Sequence, residues 1–378
     1  MKIIIMSGKF GMGHMTTALA IKQQIDYYKL DIDVEIIDWM NYVSPKLAEK
    51  YYSLFTLIVN KGSRLYNIRY RFLENKRTNQ KPELSTYFKW HFMKLIKQKN
   101  PDLIISTIPI CSQIVSLYKE KEGSTIPLIT CVTDITGHSE WISKNTDIYM
   151  VGSPSVKEKF ITKGVSPDKI FVTGIPTRLE FIKNVTVRKE KIYNLQKKIL
   201  IMGGGLGILP VDLEFYDTLD NLTDFEVTII TGKNEKLYHQ LTAKYKNIKI
   251  LGYIHNIYDY MKQSDVVITK PGGVTTFEAI NTEVPIIALH PYLQQEIHNA
   301  EFIKEMNIGA VIYGYGMNCV DEIIKLLDRD QLDYYRYNIK RVKKLFKDKD
   351  LTQLLQKVVP VKALIHDTVM DEPIISMY

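Results

Sequence analysis

The chain has 378 residues, of which 45% are hydrophobic and 24% charged, and a formal net charge of +8. That length exceeds one ordinary core and suits two domains, in the composition of a soluble globular protein. Cys111, Cys131 and Cys319 form no Cys-x-x-Cys or Cys/His spacing, which argues against a zinc site or disulfide framework and for a reducing, cytoplasmic setting.

The first predicted element is the apolar strand Lys2 to Met6, which leaves no room for a signal peptide. It ends in Ser7-Gly-Lys-Phe-Gly-Met-Gly13-His14-Met-Thr16-Thr17, and a helix follows with Ala18, Ile21, Ile25 and Tyr28 on one face. Gly8 and Gly13 have Walker A spacing, but His14-Met15 stand where Lys and Ser/Thr are required, so ATP binding of that kind fails. The dinucleotide alternative, Gly11-x-Gly13-x-x-Thr16 with Asp38, lacks its third glycine. What remains is a loop presenting His14 at a helix N-terminus, as a local hydrogen-bonding residue or as a catalyst. Asp31-Ile-Asp33 spells a metal-binding Asp-x-Asp, but it precedes a strand, away from any cleft.

The helix that follows spaces Leu47, Tyr51, Leu54, Phe55 and Ile58 periodically and leads into a basic segment. Residues 61–99 hold eleven Lys or Arg against two acids, Glu74 and Glu83, so the rest of the chain is close to neutral. Aromatics are interleaved with it: Tyr66, Tyr70, Phe72, Tyr87, Phe88, Trp90 and Phe92. An anionic bilayer surface, a nucleic acid and a solvated helix face all fit such a run. No apolar stretch reaches the length of a membrane span.

Apolar, β-branched strands are predicted near 2–6, 33–37, 102–106, 127–132, 147–151 and 170–173. A second series follows near 198–202, 226–230, 248–251, 265–269 and 285–289, after a polar linker at 183–197. Alternation with helices predicts an α/β architecture: two doubly wound, Rossmann-like domains, 1–182 and 198–333, facing across a cleft. A helical tail, 334–378, is free to pack back on the first domain.

Polar clusters follow several of these strands. Thr133-Asp134 precede Gly137-His138 and Trp141; Asp134 and His14 both follow strands of one sheet, and a carboxylate behind that imidazole makes a competent base for a hydroxyl. A turn-capping aspartate is the plainer alternative. Arg178 can fork onto a diphosphate or form a surface ion pair. Gly203-Gly204-Gly205-Leu-Gly207 lets backbone approach a ligand. Lys270-Pro-Gly272-Gly273-Val-Thr275-Thr276-Phe-Glu278 places a glycine turn before a helix, whose N–H groups attract phosphate while Glu278 can accept two ribose hydroxyls. Gln295-Glu296, with Asn299 beyond, stand where the sugar end of the same ligand belongs.

Taken together, these motifs resemble the diacylglycerol glycosyltransferases: the plant monogalactosyldiacylglycerol synthases and the bacterial processive diacylglycerol glucosyltransferases. More distantly the chain is similar to the peptidoglycan N-acetylglucosaminyltransferase. The resemblance implies a GT-B fold and inverting transfer of a hexose from a UDP-sugar to a lipid hydroxyl. It implies that the backbone at Tyr253 and Ile254 receives uracil and that Arg178, Lys270 and the glycine turns take the diphosphate. Gln295 and Glu296 then read the hexose, and His14, with Asp134 behind it, serves as base. Gly13, His14, Thr133, His138 and Trp141 would face the acceptor. Arg64, Tyr66, Arg69, Arg71, Phe72, Phe88 and Trp90 would meet the anionic membrane surface. The UDP-hexose is substrate rather than cofactor, no metal is called for, and no nucleic acid is expected. Relatives carry Pro-Gly where Leu293-Gln294 stand, so glucose and galactose both remain open. Another lipid-linked acceptor, a UDP-sugar epimerase of the same architecture, and a non-catalytic UDP-sugar sensor at a membrane surface are the rival readings.

Overall fold

A computed structural model describes residues 1–28, 31–61, 63–74, 82, 85–183, 196–209, 213–314, 316–346 and 351–359. The first sheet is built from β1 (Lys2–Ser7), β2 (Asp33–Asp38), β3 (Leu103–Ser106), β4 (Leu128–Cys131), β5 (Ile148–Val151) and β6 (Ile170–Val172). The second holds β7 (Lys197–Met202), β8 (Phe225–Ile230), β9 (Lys249–Leu251), β10 (Val266–Thr269), β11 (Ile286–Ala288) and β12 (Gly309–Val311). The orders are β2-β1-β3-β4-β5-β6 and β12-β11-β10-β7-β8-β9, and the β1–β3 and β7–β10 pairings are parallel like the rest. Helices cover both faces, which is why a run such as Ile3-Ile4-Ile5 is wholly buried rather than alternating.

Each sheet reverses its winding once, between β1 and β3 and between β7 and β10. Loops at the carboxyl ends of the strands flanking such a reversal form a crevice. His14 follows β1 and Thr107 follows β3, whereas the Gly203–Gly205 loop follows β7 and Lys270 follows β10. The topology alone therefore gathers the four loops on which the site depends.

Behind the cleft the domains share an apolar junction. Phe277, from the helix Gly273–Thr282, lies against Gly174 of the first domain, where φ of 73° and a missing Cβ leave room for its ring. It packs on Phe302 and Phe346 with ring centroids 6.3 and 5.1 Å apart. The helix Arg329–Lys343 also belongs to the second domain, since Lys343 Nζ pairs with Glu283 Oε1 at 2.8 Å. A boundary at 333/334 cuts that helix; the return to the first domain comes with the helix Leu351–Val358, whose Leu351, Leu354 and Leu355 join Ile3, Ile5 and Ile21 in one core. Strand β12 was not among the predicted strands: it is short and opens on Gly309, where any Cβ would overlap the Ile286 carbonyl. The stretches 184–195, within the linker, and 360–378 lie outside the described residues.

Candidate active site between the domains

The donor side starts from an uncapped helix end. Gly272 is the N-cap of the helix Gly273–Thr282, and no side chain accepts from its first N–H groups, so they are available to an anion. The Cε of Lys270 stands beside Gly204, which adopts φ of 68°. The Gly203–Gly205 loop interlocks with the next turn, Lys233 N donating to Gly205 O at 3.1 Å. Lys233 is exposed and lies 5.7 Å from the ring centre of Tyr253, itself exposed, with Ile254 partly buried beside it. Lys233 was not singled out from the sequence, although Thr231-Gly232-Lys233-Asn234 at a strand end has the same character as the other glycine turns.

Glu278 is buried, and loss of solvent pushes its carboxyl up to about 7 despite the Arg178 guanidinium 3.8 Å away. Arg178 Nη1 donates to the His255 carbonyl at 2.9 Å and lies 3.2 Å from Glu180. Arg178 thus lies beside Glu278, with its fork directed at the His255 carbonyl and the Glu180 and Glu278 carboxylates.

Two further donor candidates, Thr276 and Glu296, have partners at the starts of their own helices. Thr276 is buried, and its Oγ1 donates to Gly272 O at 2.9 Å, serving its own helix. Thr275 is the hydroxyl left at the helix start, its Oγ1 only 3.7 Å from where a Gly272 Cβ would be. Glu296 Oε2 accepts from the backbone N–H of Tyr292 and Leu293 at 3.2 and 3.3 Å, while Oε1 faces Lys270 Nζ at 3.2 Å. It closes the start of the helix Gln294–Glu305 and draws Lys270 toward it. Gln295 instead keeps Oε1 buried without a hydrogen-bond partner. Asn299 joins the two halves, accepting from Ile135 N at 2.9 Å and donating to Pro271 O at 3.0 Å.

His14 lies on the opposite wall, in the first turn of the helix Gly13–Tyr27. Its Nδ1 is 3.0 Å from Thr107 O and 2.8 Å from Thr133 Oγ1. A carbonyl can only accept, so Nδ1 carries the proton and Nε2 is left as the basic nitrogen. Burial pulls the imidazole down to about 4, with the Thr107 carbonyl acting against that. The orienting partner expected from the sequence, Asp134, is not on this nitrogen. Asp134 takes the Trp141 indole N–H, and burial pushes its carboxyl up to about 6. Trp141 in turn is buried, its ring centre 6.3 Å from that of His14.

His138, expected at the acceptor, is a buried strut. Its Nε2 meets Tyr70 O at 3.0 Å, Nδ1 accepts from Glu140 N at 3.3 Å, and its ring stacks on Tyr70. Glu140, unremarked in the sequence, is pushed up to about 7 by burial, with Asp134 nearby adding to the effect.

The walls meet at the donor helix. Gly13 packs near Val274, and Gly273 lies so close to Thr133 that a Cβ would overlap the Thr133 carbonyl oxygen. A Cβ at Gly272 would find only Thr275 Oγ1 at 3.7 Å. Gly273→Ala is therefore expected to lower stability by roughly 1–3 kcal/mol, as overpacking does, and Gly272→Ala to leave it nearly unchanged. Thermal melts of the two variants check this.

The segment expected at a membrane divides. Leu47, Tyr51, Leu54 and Ile58 form an exposed stripe on the helix Pro45–Lys61, continued by Ile68 and Phe72 on the helix Ser63–Glu74. Lys46, Lys50, Arg64, Arg69 and Arg71 are exposed around it. Large apolar side chains left exposed at helical spacing suit a binding face. Trp90 is exposed under Lys94, 3.7 Å from its ring centre. Phe88 instead packs in the core beside Trp39, and burial raises the Tyr66 phenol, which faces Asp134, Glu140 and Gln295 in the cleft. Among the described residues no helix is long and apolar enough to cross a membrane.

A family model described as monogalactosyldiacylglycerol (MGDG) synthase matches residues 14–177, and one described as glycosyltransferase family 28 C-terminal domain matches residues 198–355. The processive diacylglycerol beta-glucosyltransferase of Bacillus licheniformis is 30% identical over 364 residues, spanning 89% of this chain and 90% of its own. Among solved structures, the glycotransferase of kitacinnamycin superposes with a TM-score of 0.64 at 12% identity, over 95% of this chain and 99% of its own. Acinetobacter baumannii MurG gives 0.63 at 16% identity, over 94% and 99%. Two six-stranded parallel domains facing across a cleft are the GT-B fold. On sequence and fold together, the chain belongs to the glycosyltransferase family that unites monogalactosyldiacylglycerol synthases with processive diacylglycerol glucosyltransferases.

Proposed function

We propose that this enzyme moves a hexose from a UDP-sugar to a lipid hydroxyl with inversion, the acceptor being diacylglycerol or its glycosylated form. The observation that carries the reading is the meeting, at two sheet reversals, of a neutral imidazole with an uncapped helix N-terminus. The helix end, Lys270 and the exposed Lys233 suit a diphosphate, Glu278 the ribose hydroxyls, and the Tyr253–Ile254 loop the base. Gln295, with an acceptor atom unspent, suits the hexose.

In the chemical step the acceptor hydroxyl gives its proton to His14 Nε2 while its oxygen bonds to the anomeric carbon. The bond from that carbon to the diphosphate oxygen breaks on the opposite face, and UDP leaves with the electron pair. Charge growing on the leaving group lies at the helix end, where N–H dipoles are already oriented. Asp134, held by Trp141, supplies negative potential near the imidazolium that forms. The exposed apolar stripe with its basic rim suits docking on an anionic bilayer, from which a diacylglycerol hydroxyl is reachable without leaving the lipid.

Radiolabelled UDP-glucose and UDP-galactose, offered with diacylglycerol in anionic and in neutral vesicles, test this reading. Expected are label in the lipid phase and lower rates on neutral vesicles. Replacing Ile68 and Phe72 together by serine should weaken vesicle binding about tenfold or more, since each large apolar side chain contributes roughly 1.5 kcal/mol or more when buried. Label that stays water-soluble with every vesicle would overturn the lipid acceptor.

A further inference from the structure

The helix Ser63–Glu74 presents three stripes at helical spacing, each with its own environment. Tyr66, Tyr70 and Glu74 face the first domain, where Tyr70 stacks on His138 and Glu74 Oε2 accepts from Ser139 N at 2.8 Å. Arg64, Ile68 and Phe72 face outward. Asn67 and Arg71, one turn apart, cross to the second domain. Asn67 Nδ2 donates to Tyr292 O at 2.9 Å and its Oδ1 accepts from Gln294 N at 2.9 Å. Arg71 Nε donates to Gln294 Oε1 at 3.1 Å.

One amide that both gives to and takes from the backbone of a turn holds that turn as a rung holds two strands. The N-cap residue of the turn is Leu293, whose side chain has no acceptor for a helix N–H, so Glu296 from within the helix and Asn67 from the first domain hold the turn between them. It leads straight into Gln295, whose Oε1 is buried and unpartnered and whose amide meets the Tyr66 hydroxyl. Gln295 is therefore approached from the first domain on two sides.

We propose that Asn67 and Arg71 are positioning residues for the donor sugar: from the acceptor domain they set the Tyr292–Gln294 turn so that Gln295 meets the hexose hydroxyls of a UDP-sugar. This rests on the reading that Gln295 receives that hexose. The hexose subsite is then completed across the cleft, while the groups suited to uridine and diphosphate lie mainly on the second domain and meet the latched turn only through Glu296, which holds the turn by one oxygen and Lys270 by the other.

Titration calorimetry of the full chain with UDP-glucose, UDP-galactose and UDP alone tests the latch. Asn67→Ala and Arg71→Ala should each weaken the better UDP-hexose about tenfold, the scale of one or two lost hydrogen bonds, with UDP held within about twofold. In steady state the donor KM rises and inhibition by UDP does not change. Asn67→Asp keeps the bond from Gln294 N, loses the one to Tyr292 O, and should fall between. Arg71 is exposed, so its variant carries the test should Asn67→Ala fail to fold. Equal losses for UDP and UDP-hexose, or no loss for either, overturn the latch. Gln295→Ala separates the two levels. If it alone loses the sugar-specific increment, the latch is wrong and the hexose reading stands. If it changes nothing, the hexose reading falls and the latch with it.

Discussion

His14→Ala should lower kcat by roughly 10² to 10⁴, the usual contribution of a positioned general base, while the Kd for UDP stays within about twofold. The separation follows from geometry. His14 stands on the first domain with Nδ1 committed to Thr107 and Thr133, whereas the groups suited to UDP are carried almost entirely by the second domain. Burial holds the imidazole near 4, so its basic form is present throughout the neutral range and is lost only as pH falls through about 4. The acid limb of His14 is therefore expected below the ordinary histidine value. Single-turnover rates from pH 5 to 9, beside UDP titrations of the variant, read both effects. Near-normal turnover in His14→Ala would remove this histidine from the mechanism.

Glu278→Gln is expected to weaken UDP binding ten- to a hundredfold and at the same time to make the ligand-free protein more stable above neutrality. A ribose diol donates to a carboxylate better than to an amide, and charged hydrogen bonds contribute about 1.5–3 kcal/mol. The stability effect has the opposite sign. In the folded chain the Glu278 carboxyl keeps its proton up to about 7, against 4.5 when exposed. Between those values the folded state binds more protons than the unfolded one, so stability falls as pH rises through the window and stays lower above it. A displacement of that size corresponds to about 3 kcal/mol, which the amide variant does not lose. The gap between melting curves at pH 5 and 8 should be smaller for Glu278→Gln than for the parent chain, the remainder coming from Asp134 and Glu140, which burial also raises. An equal gap in both would show that burial of this carboxyl carries no charge penalty.

The architecture was legible because buried parallel strands write themselves as unbroken Ile and Val runs, and each glycine turn marks a strand's carboxyl end. The wall that carries each polar cluster was legible for the same reason. What individual polar side chains do there was less so. Thr276, Glu296 and His138 have the chemistry of ligand contacts, yet each satisfies backbone groups of its own neighbourhood. Residue type cannot separate these uses, since the competing partner is main chain and present in every sequence. Tyr66 and Phe88 show the same limit in a basic, aromatic segment. Helical spacing there alternates core, cleft and outward positions, and only packing decides which aromatic takes which.

The chain passes between the domains twice, once between Lys183 and Gln196 and again between Phe346 and Leu351. During synthesis the opening strands therefore leave the ribosome long before Leu351, Leu354 and Leu355 arrive to seal the floor beneath Ile3, Ile5 and Ile21. Until then the first domain has all six strands but lacks the helix that covers this core, whereas the second domain has both its strands and its last helix, Arg329–Lys343. A message cut short before codon 351 would thus yield a client for chaperones and proteases, not a half-active enzyme.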